Sequence, residues 1–394
     1  MSGQGAQGEP AGSPAAGSLP PEAFAAALAG LPGMGPARLA AVLQRWDPCG
    51  AWQQVAAGTA LRCPAVAAAC RPDPAGLGEA WRRRAASTDV ASTWEAYREA
   101  AVGVWVLGRP GYPELLADDH EAPAVLFTKG NSAVLQGRRV AIVGTRTCTR
   151  YGRDVAYELG RDLAANGVRV VSGLALGIDG AAHAGALAAG PAGAPPVAVV
   201  GSGLDVIYPW RHRKLWAEVA EAGLVLSEAP LGGRPEPWRF PVRNRVIAAL
   251  AEVVVVVESF HTGGSRHTVD AAVSRSRPVL AVPGPVRSQA SELPNGLLAE
   301  GCHPARDATD VLVALGLCPT GTAAARGGFD SRPPPSHEAA AILEVVGWEG
   351  ASFESVVLAS GRSPAEVSLA LIHLERDGWV TGSGGWWERA SSAG

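Results

Sequence analysis

One stretch, Val140 to Ser172, restricts this chain to few architectures. It reads VAIVGTRTCTRYGRDVAYELGRDLAANGVRVVS, an apolar strand over Val140–Val143, a polar turn, an amphipathic helix and a second strand over Val168–Val171. Four-residue spacing sets Val155, Leu159 and Leu163 on one helix face. Gly144 permits the sharp turn, and Thr145 to Arg150 form the loop. The result is a βαβ unit whose first turn is small, polar and positive, which suits phosphate held at a helix N-terminus.

The same rhythm continues for another hundred residues. Val104–Leu107 and Ala124–Phe127 are short strands ahead of the unit. Behind it come the glycine loop Gly173–Ile178 and a helix capped by Asp179 that carries His183 and Leu187. Pro196–Val200 is the next strand and runs into the loop GSGLDVIYP, followed by a helix over Arg211–Ala222. Leu224–Leu226 is a strand closed by Ser227 and Glu228, and Arg243–Ala251 is helical. Val253–Val257 lacks alternation, as a strand covered on both faces does. A helix over Thr268–Arg275 and a strand over Val279–Val282 complete the series. Strands alternating with helices in this way predict a doubly wound α/β fold with a mostly parallel sheet.

Two smaller units flank it. Residues 1–19 read as a disordered tail of Gly, Ala, Ser and Gln with neither the basic start nor the apolar run of a signal peptide. Residues 20–100 read as helical. Within them LPGMGPARLAAVL (Leu31–Leu43) resembles a helix–hairpin–helix, with Gly33 and Gly35 in the hairpin, Pro36 opening the next helix, and Leu39 and Leu43 packed inward. That hairpin either contacts a DNA phosphate or serves packing and partner contact. The α/β unit spans 101–318, a Pro/Gly/Ala linker 319–335, and a small domain 336–390 with three helices and a hairpin, the layout of a winged helix. Ser336–Ala390 holds three arginines against eight acids, a poor match to a phosphate backbone, so protein contact or dimer support is expected there.

The formal net charge is −3 and there are only two lysines, so any nucleic-acid site must be local. Residues 138–153 supply such a patch, five arginines and no acid beside the glycine turn. In a parallel sheet the ligand lies beyond the C-terminal strand ends. The expected contacts are therefore Gly144, Thr145, Arg146, Arg150, Gly173 and Gly177, joined by Arg239, Arg243, Asn244 and Arg245 of PWRFPVRNR. Asp179, His183, Gly203, Asp205, Glu228, Glu258, Gly264 and Ser265 are expected to support the pocket. Glu228 and Glu258 read either as a carboxylate pair or as groups orienting the arginines, the latter favoured. One glycine stands where a dinucleotide fingerprint needs three, and no GxxxxGK[ST] loop occurs. Cys49, Cys63, Cys70, Cys148, Cys302 and Cys318 form no CxxC pair and read as free thiols, and no metal site or cofactor is expected.

Taken together, VAIVGTRTCTRYG, VVSGLALGIDGAAHAGAL, VAVVGSGLDVIYPWRHRKL, GLVLSEAPLGGRPEPWRFPVRNRVIAAL, VVVVESF and VLAVPG closely resemble the DprA or Smf family of DNA-processing proteins, in order and spacing, from Arg139 to about Val313. The resemblance implies an extended Rossmann-like fold and a cytoplasmic, non-enzymatic homodimer. It also implies binding of single-stranded DNA and help in loading the RecA recombinase during natural transformation. No membrane association is expected, because the strongest apolar run, Val253–Val257, is far too short to span a bilayer. The family's phosphate contacts fall on Gly144, Arg146, Gly173, Gly177, Arg243 and Arg245. Leu176 stands where the family's SGLARGID carries a basic residue, and Arg266 and His267 replace the apolar pair of SGSLITA, two basic groups able to offset the loss. The segment before Asn295 lacks the usual cysteine–glycine lead-in. Two other classes compete. One is a nucleotide-hydrolysing enzyme of the related phosphoribohydrolase scaffold using Glu228 or Glu258, whose PGGxGTxxE is matched here only by TGGSRHTVD. The other is an adaptor acting through the acidic C-terminal domain.

Overall fold

Runs of β-branched residues with no polar alternation must lie where both sheet faces are covered, and they do. In the computed structural model, which describes residues 19–317, 332–347 and 350–390, every residue of Val253–Val256 is buried. The expected tail 1–19 and linker 319–335 fall almost entirely outside the described residues, as does Cys318. The main sheet has nine strands: β1 Gly103–Val106, β2 Val125–Gly130, β3 Arg139–Val143, β4 Arg169–Ser172, β5 Val197–Val200, β6 Leu224–Ser227, β7 Val253–Val256, β8 Val279–Ala281 and β9 His303–Pro304. Their spatial order is β1-β2-β6-β5-β4-β3-β7-β8-β9. All pairs from β6 to β9 are parallel, while β1 and β2 add an antiparallel edge.

Chain order reverses beside β3, which lies between β4 and β7. The connections leaving β3 and β7 therefore go to opposite faces, and a crevice opens beyond their C-terminal ends. The helix Arg150–Ala165 covers one face through Ala156, Leu159 and Leu163, with Val155 at the half-buried margin. The helix Arg239–Leu250 begins four residues earlier than expected. Pro241 falls within its first turn, where a missing N–H does no harm.

Six helices make up the N-terminal region, and they do not form a separate lobe. Leu28, Trp81 and Tyr97 share one apolar core with Phe127 of β2, Leu204 and Trp216. The Tyr97 ring stacks on Phe127 at 5.3 Å, and its hydroxyl accepts from the Leu231 N–H at 3.0 Å. Helices Pro21–Ala29 and Pro36–Leu43 flank the expected hairpin. Arg38 donates to the Gly33 carbonyl at 2.6 Å, and Gly33 adopts a positive φ of 65° that favours glycine.

The C-terminal unit has its own core around Ile342, Val356, Val367, Leu371 and Leu374. Its third helix, Pro364–Arg376, starts with a capping box between Ser363 and Glu366. Strands β10 Ala351–Ser352, β11 Val380–Ser383 and β12 Trp386–Arg389 form a small antiparallel sheet, turning at Gly384 and Gly385. This is a winged helix. Among the described residues no helix is long and apolar enough to cross a membrane.

Candidate nucleic-acid interface

The crevice beside β3 is a cleft of about 550 Å³ lined by Gly144, Thr145, Arg146, Tyr208, Phe240, Asn244 and Ser265, among others. Its near wall is the loop leaving β3, and that loop is pinned by Glu258 just past β7. The Glu258 carbonyl accepts from the Thr145 N–H at 2.6 Å. Its carboxylate accepts from the Thr149 N–H at 2.8 Å and the Thr149 hydroxyl at 2.6 Å. Thr149 in turn caps the helix Arg150–Ala165, its Oγ1 accepting from the Gly152 N–H at 3.1 Å. A buried carboxylate so bonded fixes the loop.

Two arginines of this site do opposite jobs. Arg243 is 7 % exposed and donates to the carbonyls of Gly173 at 2.8 Å and of Val199, joining the ends of β4 and β5. Burial pulls its guanidinium down to about 10, and Asp179 works against that shift. A Cβ at position 173 would sit 2.4 Å from the guanidinium nitrogens, so only glycine fits there. Arg146 is exposed, lies 4.8 Å over the Phe240 ring, and forms no ion pair among the described residues. Phe240 also meets Tyr208, ring centroids 5.6 Å apart. The outer cleft thus combines an unpaired cation with two aromatic faces.

Comparison with known proteins fits this geometry. The family model described as DNA recombination-mediator protein A matches residues 103–316, which hold all nine strands and the cleft. The DprA winged helix domain model matches residues 330–385. The chain belongs to the DprA/Smf family. DNA processing protein DprA of Bacillus subtilis is 36% identical over 56% of this chain and 73% of its own length. Protein Smf of Escherichia coli is 34% identical over 72% of this chain and 76% of its own. The crystal structure of DNA processing protein A from Streptococcus pneumoniae superposes with a TM-score of 0.62 at 29% identity, covering 75% of this chain and 98% of that one.

Within this DprA/Smf chain the structure sorts the expected site residues into three groups. Gly144, Thr145, Arg146, Asn244, Gly264 and Ser265 line the cleft itself. Asn244 bridges its walls, accepting from Arg243 at 3.0 Å and donating to the Gly264 carbonyl at 3.2 Å. A second group is deeper: Asp179 and Arg243 are buried yet still reach the cleft lining, whereas Gly177 and His183 are not part of it. Asp179 does not cap its own helix, Ile178–Ala188, whose N-cap is Gly177. It accepts instead from the Gly173 N–H at 3.2 Å, and its burial raises its pKa against the opposing pull of Arg243. Gly177 turns the loop with φ of 80°, and a Cβ there would lie 2.3 Å from the Thr145 carbonyl. His183 is fully buried, and burial pushes its imidazole down to about 3, so it stays neutral.

The third group lies outside the cleft. Arg245 bonds the Glu228 carboxylate and the Glu121 carbonyl and lines the neighbouring cleft with Arg239. Burial pushes the Glu228 carboxyl up to about 7 despite that partner. Arg239 stacks on Trp238 at 4.5 Å, pairs with Glu236 at 3.2 Å and faces the neighbouring cleft by the hairpin. Asp205 accepts twice from the Gly232 N–H at 2.9 Å, with Gly203 against the same loop. Arg150 pairs with Asp154 at 3.6 Å and donates to Thr381 of the winged helix. Glu228 and Glu258 engage separate partners, Arg245 and the Thr149 loop, as groups that orient the walls of the site. Of Arg266 and His267, the histidine lines the cleft, while Arg266 bonds Asp270 at 3.1 Å.

Phe240 and Tyr208 were not expected as site residues. Phe240 follows Arg239 in PWRFPVRNR and Tyr208 precedes Pro209 in GSGLDVIYP, and an aromatic beside arginine or proline in these segments was the available signal. Among the described residues no group of three or more His, Cys, Asp or Glu is placed to hold a metal.

Proposed function

We propose that the strand-end face of this DprA/Smf protein binds single-stranded DNA and that the protein acts as a recombination mediator, handing the strand to a RecA-type recombinase during natural transformation. It does so as a cytoplasmic homodimer and without catalysing a reaction of its own. One observation carries the reading. Arg146 is exposed, unpaired among the described residues and stacked on Phe240 at the rim of the switch-point cleft. A guanidinium beside an aromatic face offers a phosphate contact and a stacking platform at once, a combination that tolerates every base. Duplex DNA hides its base faces and cannot use the second half of that offer. The engaged state of Glu258 and the pairing of Glu228 with Arg245 support binding over hydrolysis.

The test is fluorescence anisotropy with labelled oligo-dT and a matched duplex at two salt concentrations. The expected result is preference for the single strand, affinity falling steeply with salt, and loss of about tenfold for Arg146→Ala. Equal affinity for duplex and single strand, or no effect of Arg146→Ala, defeats the assignment. Recombinase loading is read separately, as stimulation of RecA filament formation on strand coated by single-strand-binding protein, and the dimer by sedimentation.

A further inference from the structure

The loop leaving β5 ends in a feature that the cleft does not use. From Val206 to Ala217 the chain carries no acid and reads VIYPWRHRKLWA. Trp210 opens a short 3₁₀ turn and is 66% exposed, with the Arg213 guanidinium 5.7 Å from its ring centre. Arg211 and Arg213 are exposed and form no ion pair among the described residues. Most of the indole is open to solvent, and the cation beside it has no carboxylate partner among the described residues. The group is nevertheless firmly placed. The His212 ring nitrogen Nδ1 lies 3.0 Å from the Leu174 carbonyl, tying the turn to the glycine loop that follows β4. Tyr208, two residues earlier, lines the switch-point cleft against Phe240.

We infer that Trp210, Arg211 and Arg213 form a second single-strand contact, onto which the nucleic acid continues from the cleft across Tyr208. This rests on the reading of the cleft given above and extends it. A base stacks on Trp210 while the phosphates on either side meet Arg211 and Arg213. The contact requires a strand longer than the cleft alone accommodates. It is also open to any base, because stacking and phosphate pairing read no base edge.

The test compares oligo-dT of about six and about twenty nucleotides, lengths that bracket a single binding groove and a longer track. Trp210→Ala is expected to weaken the longer oligonucleotide about tenfold and leave the shorter one unchanged, with Trp210→Phe restoring most of the loss. Arg211→Ala with Arg213→Ala should reduce the salt slope for the longer oligonucleotide by about 1.4, the value for two phosphate contacts on a single strand. Because all three side chains are exposed, the melting temperature of each variant should match the parent, which separates lost binding from lost folding. Variants that bind the longer strand like the parent overturn the second contact and leave the cleft reading intact. An equal loss on both lengths also overturns it, by placing Trp210 within the cleft's own footprint. A parent protein that binds neither strand overturns both readings.

Discussion

The strand-end face of the sheet and the winged helix at residues 332–390 both have shapes that nucleic acid commonly occupies, yet their exposed groups differ in sign and kind. The sheet face presents Arg146, Arg211 and Arg213 without carboxylate partners among the described residues, interleaved with Phe240, Tyr208 and Trp210. The winged helix places Leu369 and Ile372 on the outside of the helix that such domains insert into a groove, at 57% and 55% exposure. Its four arginines face eight acids, and Arg376 and Arg389 are already paired with Asp377 and Glu344. A fold supplies a shape. Whether that shape binds a polyanion depends on which charges remain unpaired once the chain has folded.

The same distinction holds within the sheet face, between Arg243 and Arg146, and the largest predicted effect tests it. Arg243→Ala strips two buried carbonyls of their donor and leaves Asp179 without its nearest opposing charge. Removing one member of such a buried set costs about 3–5 kcal/mol, measured as a drop in urea unfolding free energy. Arg146→Ala should change that free energy by less than about 0.5 kcal/mol, as exposed sites do, while losing DNA affinity. A stability loss under about 1 kcal/mol for Arg243→Ala would erase the division between a structural and a binding arginine.

Acid should expose the next difference. His183 lies beneath the sheet face and is held neutral, pushed down to about 3 by burial, whereas His337 and His373 of the winged helix are exposed. An unfolded histidine takes up its proton near pH 6.5, and the folded imidazole cannot follow. Below that pH the unfolded state binds more protons, so stability falls as pH falls. Between pH 6.5 and 5 the contribution is about 2 kcal/mol, and His183→Leu should remove that slope in urea titrations. An unchanged slope in the variant would show that other groups dominate this window.

Which parts of this were legible in the sequence follows from the range over which each determinant acts. The valine runs, the glycine turn after β3 and the Ser363 cap are local signals, and the strands and helices they predict are present. The fates of the arginines are not local. PVRNR reads as a cationic segment, but Arg243 reaches carbonyls 70 and 44 residues away, and Arg245 reaches Glu228 and a carbonyl 124 residues away. Counting cations along a chain cannot say which of them the fold consumes. Asp179 shows the same limit, since its position near a helix start resembles a cap while its carboxylate serves the preceding loop. Trp210 and Phe240 were visible as letters, and their exposure and cation partners were not.

The smallest predicted effect concerns a hydrogen bond between the two regions, in which Arg150 donates to the Thr381 hydroxyl of the wing. Ending the chain after residue 317 releases this arginine and removes a domain with a surplus of acid. If the winged helix were a DNA-binding unit, its loss would weaken single-strand affinity by tenfold or more. If the sheet face carries binding, the shortened protein should bind about twofold more tightly at low salt, the scale of one surface electrostatic contact. Raising the ionic strength should shrink the gain, because exposed charges are screened over about 10 Å at 0.1 M salt. Thr381→Val in the full chain separates the two contributions. It breaks the Arg150 contact without altering the domain's charge, so a gain that survives only in the truncation belongs to the acids, and a gain reproduced by Thr381→Val belongs to the freed guanidinium.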